Sequence, residues 1–469
     1  MTKLEKLTQM LGDIPTISNE KAVRAKSRDF FWYSPILKEK LDHVSAEIVV
    51  CPHTEAEVIT TLAACHALNI PVTPRGGGTG NYGQAMPLAG GVVLDMSRMN
   101  SILALENGRV VAEPGVLIGD IDARAKQELG QELRMHPSTR ETATIGGFIA
   151  GGSGGVGSIR WGMLWEPGNI LSLRVVTMEE VPRTLTIKGE DINQFHHAYG
   201  VTGVITQIEM PLAPAPDWVD ILIGIPDWKA TLEFGWTLAG CEGIWLKELA
   251  AIQAPAPWKY FGRHQKFLAE GESVLCIMVS PNSADSLVGL AKAHGHRVAF
   301  RSDACPAEEL KGLPHMYHLG WNHTTLRGLR TEPDITYLQV GLPEGNEIGA
   351  CLEMADRFPD DIINHIEFTR GQGIKRMSSL PLVRFKSAER LQDVIKGLES
   401  MDCPVWNPHV YTLEEGNRRG ADPRQIDLKH KNDPKGLLNP GKMIGWENPD
   451  YEFTLDSQYD YWAKRGEEE

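Results

Sequence analysis

Pro74-Arg75-Gly76-Gly77-Gly78-Thr79-Gly80-Asn81-Tyr82-Gly83-Gln84 and Ala143-Thr144-Ile145-Gly146-Gly147-Phe148-Ile149-Ala150-Gly151-Gly152-Ser153-Gly154-Gly155-Val156-Gly157 are the two stretches that decide the fold. Residues without a Cβ let backbone N–H groups turn toward a diphosphate and approach it closely. Gly78-x-Gly80-x-x-Gly83 and Gly152-x-Gly154-x-x-Gly157 both match the dinucleotide fingerprint of doubly wound folds. That fingerprint needs a helix opening on its last glycine. After Gly83 the chain reads Gln84-Ala85-Met86-Pro87-Leu88-Ala89-Gly90-Gly91, which cannot continue as a helix. After Gly157, Ser158-Ile159-Arg160-Trp161-Gly162 is a poor helix start. Neither loop carries Gly-Lys-Ser/Thr, which excludes a P-loop.

Around the loops, short apolar runs alternate with helical spacing. Ile48-Val49-Val50 reads as a strand, and Thr54 with Glu57 has capping-box spacing. Val58, Leu62, Cys65 and Leu68 follow at helical period, which places a helix over 55–68. Ile70-Pro71-Val72 returns as a strand into the first loop. Further strands are expected at Gly91–Met96, Arg109–Glu113, Ile170–Thr177, Thr184–Lys188 and Gly203–Met210, with a helix near Ile118–Leu129. The mixture implies an α+β fold. The proline-rich stretch Pro211 to Pro226 marks a domain boundary. Beyond it Val274–Val279 followed by Ser283–Ala293 indicates a second α+β unit. The expected division is 1–215, 216–405 and a C-terminal segment 406–469.

The formal net charge of −14 argues against nucleic acid as a partner, since phosphate binding needs concentrated positive charge. Seven scattered cysteines form no CxxC pair and read as reduced cytoplasmic thiols. No apolar run is long enough to span a bilayer, and the N-terminus lacks a signal-peptide core.

Four blocks occur in a fixed order: Pro74–Gly83; Pro137-Ser138-Thr139 with Ala143–Gly155; Gly200-Val201-Thr202-Gly203-Val204-Ile205-Thr206; and Asp433-Pro434-Lys435-Gly436-Leu437-Leu438-Asn439-Pro440-Gly441-Lys442-Met443. Together they resemble the FAD-linked oxidases of the p-cresol methylhydroxylase/vanillyl-alcohol oxidase superfamily. The resemblance implies a two-part FAD-binding domain, a cap domain over the flavin ring and a tail that returns to the flavin. The FAD contacts it implies are Arg75, Gly76, Gly77, Gly78, Thr79, Gly80, Gln84, Pro137, Ser138, Thr139, Gly146, Gly147, Ala150, Ser153, Gly154, Gly157, Val204, Ile205 and Asn439. Some members bond FAD through a histidine in the first loop; Thr79 stands there here, which implies non-covalent FAD. A metal-binding His-x-Gly-Asp-Gly-Asn-x-His motif of one subgroup is absent, as is the usual Glu-His-Gly before the tail, where Asn407-Pro408-His409 stands. Both departures count against a lactate- or glycolate-type substrate.

Oxidation by hydride transfer to flavin N5 needs a group that takes a substrate proton, and imidazole titrates near neutral pH. His409 lies between cap and tail, and His323 and His365 lie in polar clusters of the cap. Glu367 could join them at a metal, but no spacing supports one, and no metal site is expected. Arg384, or one of Arg370, Lys375 and Arg376, could clamp a substrate carboxylate. His196-His197 are expected in a loop away from the chemistry. The leading expectation is oxidation of an alcohol or hydroxy-acid carbon, with oxygen, a quinone or an electron carrier as acceptor and a homo-oligomer possible. Oxidation of a phenolic or aromatic side chain, a non-redox flavin-containing transferase and a non-catalytic flavin-binding module are the alternatives.

Overall fold

The computed structural model describes residues 1–152, 154–416, 423–448 and 450–451. Strands and helices mix as α+β throughout. Ile48–Val50, Val92–Asp95 and Val72–Arg75 form a parallel core, edged by antiparallel Thr16–Ile17. Parallel strands need a crossover, and helix Glu55–Leu68 supplies it between Ile48–Val50 and Val72–Arg75. Thr54 caps that helix by accepting from the Glu57 N–H, while Asn69 ends it with a left-handed φ of 51°. Glu57 in turn accepts from the His53 N–H, one residue before the position a full capping box uses. Leu437 and Asn439 hydrogen-bond to both sides of Val72, so the C-terminal segment lies along this sheet beside the first glycine loop.

A second sheet runs Ile102–Glu106, Arg109–Ala112, Val204–Pro214, Ser172–Val176 and Thr184–Ile187, with Gln131–Leu133 also paired to Val204–Pro214. Helices Ile118–Leu129 and Ile145–Gly151 bury Ile118, Ile121, Ile145 and Ile149 against it. The third sheet has eight strands, ordered Arg297–Arg301, Val219–Ile225, Ser273–Val279, Leu246–Ile252, His365–Gly371, Ile374–Ser379, Gln339–Val340 and Val405–Trp406. Both of its faces are covered, which is why its central strands are apolar without alternation. Leu275, Ile277 and Val279 pack on one side, and Val274, Cys276 and Met278 on the other.

The proline-rich stretch is partly regular, since Pro211–Pro214 continue a strand and Val219–Ile225 form another. One reading needs correction. The second glycine loop is not wholly irregular, since Ile145–Gly151 is a helix. A single helical turn, Ser158–Trp161, also opens on Gly157 and stops at Gly162, whose φ of 77° ends it.

Candidate active site

The two glycine loops meet face to face. A Cβ on Gly76 would lie 2.1 Å from Thr144 Oγ1, and one on Gly77 would lie 2.3 Å from the Thr142 carbonyl. Only glycine permits that approach, and Gly78 adds a φ of 67°. The Arg75 guanidinium folds beneath its own loop, donating to the carbonyls of Gly76 at 2.9 Å and Arg28 at 3.3 Å. Asp29 holds the other side, its carboxylate accepting from the Phe31 and Ala85 N–H groups at 2.9 and 3.2 Å. Burial raises the Asp29 carboxyl to about 6 despite these bonds and the Lys442 charge. Lys442, fully buried, donates to the Gly83 carbonyl at 2.5 Å, and burial lowers its ammonium to about 7.

Two continuous cavities open at this junction, sharing Thr79, Gly80, Gln84, Gly147 and Gly151. The smaller, of about 820 Å³, is lined by Arg75, Gly76, Gly77, Gly78, Gly146, Ala150, Val204 and Ile205 in addition to those shared. The larger, of about 1110 Å³, reaches Pro137, Ser138, Thr139 and Gly154. Sixteen of the residues expected to contact FAD line one or other of these cavities. Gly157 and Asn439 are not among the lining residues. Gly157 packs against the Arg134 carbonyl, and Asn439 ties Gln84 and Tyr199 together from behind. Ser153 lies outside the described residues.

The catalytic candidates separate. His323 lines the larger cavity beside Trp321 and Asn322. Its ring stacks on His318, and burial lowers its pKa to about 3. His409 is only 1% exposed and does not line either cavity. Its Nε2 donates to the Tyr337 carbonyl at 3.1 Å, so Nδ1 accepts from the Ser34 hydroxyl at 2.7 Å, and burial lowers its pKa to about 4. His365 is fully buried, its Nε2 set 2.8 Å from Glu367 Oε1. Arg384 sits on a small three-stranded sheet, outside the lining of both cavities. Arg370 is committed to Glu242 and the Ile159 carbonyl, Arg376 to Glu344, and Lys375 to the Trp236 carbonyl. Among the described residues no group of three His, Cys, Asp or Glu could hold a metal ion.

Behind Trp321 lies a buried acid pair. A Cβ on Gly320 would meet Glu248 Oε1 at 2.3 Å and Glu367 Oε1 at 2.9 Å. Glu367 accepts from the Trp321 N–H at 2.5 Å. Burial, then repulsion from Glu367, holds the Glu248 carboxyl far above its ordinary value, so it stays protonated.

Sequence reasoning missed several lining groups. Phe30, Tyr33, Tyr82, Trp165 and Trp321 give the larger cavity aromatic walls, and Gln339 completes its polar edge. His196 and His197 also line it, correcting their expected place away from the chemistry. The signal that marks two of them, His197 and Trp321, is backbone conformation. His197, Tyr199, Trp321 and Asn439 all have positive φ, from 42° to 51°, and all four stand at or against the cavities. Such strain, about 1–3 kcal/mol per residue, persists where the surroundings enforce it and gathers at functional sites.

The FAD binding domain family model matches residues 46–183, the segment that carries both glycine loops. Residues 46–183 are thus similar to an FAD binding domain. The glycine cradle fits a diphosphate, and the wide aromatic cavity continuous with it fits a flat ring. FAD is thus the cofactor of this domain. The chain is similar to the glycolate oxidase subunit GlcD of Escherichia coli K12, at 31% identity over 191 residues, 38% of this chain and 36% of the relative. It is similar to the D-lactate dehydrogenase of Anaerostipes hadrus, at 31% over 38% of each chain. It also matches the mitochondrial D-2-hydroxyglutarate dehydrogenase of Bos taurus, at 28% over 45% of this chain and 39% of the relative. The chain thus spans well under half the length of these relatives. The whole fold is shared more widely. Alkyldihydroxyacetonephosphate synthase superposes over 93% of this chain and 85% of its own, with a TM-score of 0.69 at 16% identity. The 4-ethylphenol oxidase of Gulosibacter chungangensis superposes over 94% and 96%, with a TM-score of 0.67 at 15% identity.

Proposed function

We propose that the protein is an FAD-dependent oxidoreductase that oxidises an alcohol or hydroxy-acid carbon of a small molecule. The observation that carries this reading is the continuity of the glycine cradle with a cavity walled by aromatics and histidines. The hydroxy-acid enzymes among the relatives support it. On this reading residues 1–215 and 406–469 hold FAD, and residues 216–405 cap the substrate. Bound FAD supplies the two-electron acceptor. Main-chain groups of Arg75–Gly80 and Gly146–Gly147 hold its diphosphate, and Val204 and Ile205 flank the adenine end. Thr79 leaves the first loop without a histidine, so the cofactor is held non-covalently. Trp165 and Trp321 exclude water around the reacting carbon. His323, neutral at pH 7, offers a hydrogen bond that orients a substrate oxygen. His409, His365 and Arg384 keep structural roles.

The aromatic walls also favour a second reading, oxidation of a phenolic or aromatic side chain. Among the described residues no helix is long and apolar enough to cross a membrane. All seven cysteines are free, which supports a reducing, cytoplasmic location. The electron acceptor is taken to be oxygen, a quinone or a carrier protein, and the assembly to be a homo-oligomer. Anaerobic mixing with glycolate, D-lactate, D-2-hydroxyglutarate, benzyl alcohol and 4-ethylphenol separates the readings. Bleaching of the flavin absorbance by an alcohol or hydroxy acid is expected. Bleaching by 4-ethylphenol alone moves the assignment to the second reading, and no bleaching by any of them overturns both.

A further inference from the structure

We propose that Glu367 is a positioning residue for the larger cavity: its carboxylate fixes Trp321, whose ring limits the width of substrate the cavity takes. The inference rests on the oxidoreductase reading above. Trp321 opens the helix Trp321–Thr331 with a φ of 49°. A ring-bearing residue rarely adopts that backbone, and the surroundings enforce it here. Glu367 Oε1 accepts from the Trp321 N–H at 2.5 Å, and His365 Nε2 lies 2.8 Å from the same oxygen. Glu367 is 1% exposed and stands on strand His365–Gly371, inside the eight-stranded sheet. The turn that enters the helix is pinned as well, since Arg327 Nε donates to the His318 carbonyl at 2.7 Å.

The contacts on either side leave Trp321 little latitude. Gly320 can carry no Cβ, because Glu248 and Glu367 fill that space. At its far edge the indole meets the second glycine loop, where a Cβ on Gly154 would lie 3.0 Å from Cη2 and 3.2 Å from Cζ3. The ring is therefore clamped between Glu367 at its backbone and Gly154 at its rim, and both Trp321 and Gly154 line the larger cavity. Glu367 lines neither cavity, so it acts through Trp321. Both Glu248 oxygens are buried without a hydrogen-bond partner among the described residues. A carboxyl left so costs stability. A wall that combines that cost with a strained φ is built for placement, since such local conflicts gather at functional sites.

Two readouts test the proposal. In the first, the FAD-loaded protein is labelled with 5-fluorotryptophan, and Trp321 is assigned among the twelve tryptophans by its loss in Trp321→Gly. Glycine suits the positive φ and keeps the N–H. Glu367→Leu removes the acceptor and should move or broaden the Trp321 resonance, whereas Glu367→Gln keeps an acceptor and should restore it. An unmoved resonance in Glu367→Leu overturns the anchor. Gly320→Ala, whose Cβ must displace the two carboxyls, makes the same test should Glu367→Leu not fold. The second readout is the binding of benzamide and 2-naphthamide, uncharged rings of two widths without an oxidisable alcohol, followed by calorimetry. The ratio of their Kd values should shift toward 2-naphthamide by at least about tenfold in Trp321→Gly. Glu367→Leu should shift it in the same direction, and the double variant no further than Trp321→Gly alone. A general loss of structure would weaken both probes alike and leave the ratio. An unchanged ratio in Trp321→Gly, additive shifts in the double variant, or binding of neither probe by wild type and variants overturns the proposal. A flavin that no compound of the anaerobic panel bleaches overturns the oxidoreductase reading instead, and the resonance still decides the anchor.

Discussion

Asn439 offers the sharpest test of how the chain's end shapes the FAD cavity. Its side chain is 1% exposed, and its Nδ2 donates to the carbonyls of Gln84 and Tyr199, each at 2.8 Å. Its φ is 42°, a left-handed value that Asn adopts more readily than Ala. Asn439→Gly removes both bonds but suits the backbone. Two buried carbonyls left without donors should lower stability by about 2–4 kcal/mol. Asn439→Ala adds the left-handed penalty, about 1–2 kcal/mol more. Gln84 and Tyr199 both line the smaller cavity, so FAD affinity should fall with them, by about tenfold for each 1.4 kcal/mol transmitted. The assay is FAD titration of the apoprotein, with denaturant unfolding followed by flavin fluorescence. Wild-type behaviour in both variants refutes the tether, and equal losses in the two refute the backbone argument.

Three other perturbations follow from buried ionisable groups. His409, lowered to about 4, stays neutral in the folded protein while the unfolded chain binds a proton below about 6.5. Its stabilising share is therefore complete above 6.5 and lost as pH falls toward 4. Asp29 and Asp122, raised to about 6, act in the opposite sense, so thermal melts of His409→Gln against wild type isolate the histidine: the gap should change between pH 7 and 5, and a constant gap contradicts the assignment. Glu248→Gln mimics the protonated carboxyl beside Glu367. A raised carboxyl loses stability as pH rises, so the variant should match wild type near pH 5 and exceed it near pH 8, whereas a lower melting temperature at pH 8 contradicts a protonated Glu248. Lys442→Met leaves the Gly83 carbonyl without its donor and Asp29 with Arg75 as its remaining cation. FAD should bind at least about tenfold more weakly at about pH 6, where the ammonium is charged, since a lost bond to a charged donor is worth about 1.5–3 kcal/mol, and unchanged affinity would show that the tether does not hold the loop.

The glycine cradle was legible because its requirement is local. A backbone that must touch Thr144 or the Thr142 carbonyl admits no Cβ, and that constraint is written as glycine. Helices Glu55–Leu68 and Ile118–Leu129 were legible for a similar reason, since periodicity and caps lie within each segment. The larger cavity was not. Tyr33, Trp165 and Trp321 come from three distant parts of the chain and meet only through tertiary packing. His409 drew attention by its position between cap and tail, yet Ser34 and Tyr337 enclose it. His197 was passed over because nothing in its own sequence announces a left-handed φ. Only the hold of Ile149 and Asn439 on its turn reveals it.

The central claim is that the paired glycine loops hold FAD without a covalent bond. Acid precipitation of the purified protein, with flavin measured in the supernatant and the pellet, tests it most directly. The account predicts FAD in the supernatant, near one per chain, and a colourless pellet. Colour retained in the pellet, or protein that neither carries nor takes up FAD, would contradict it.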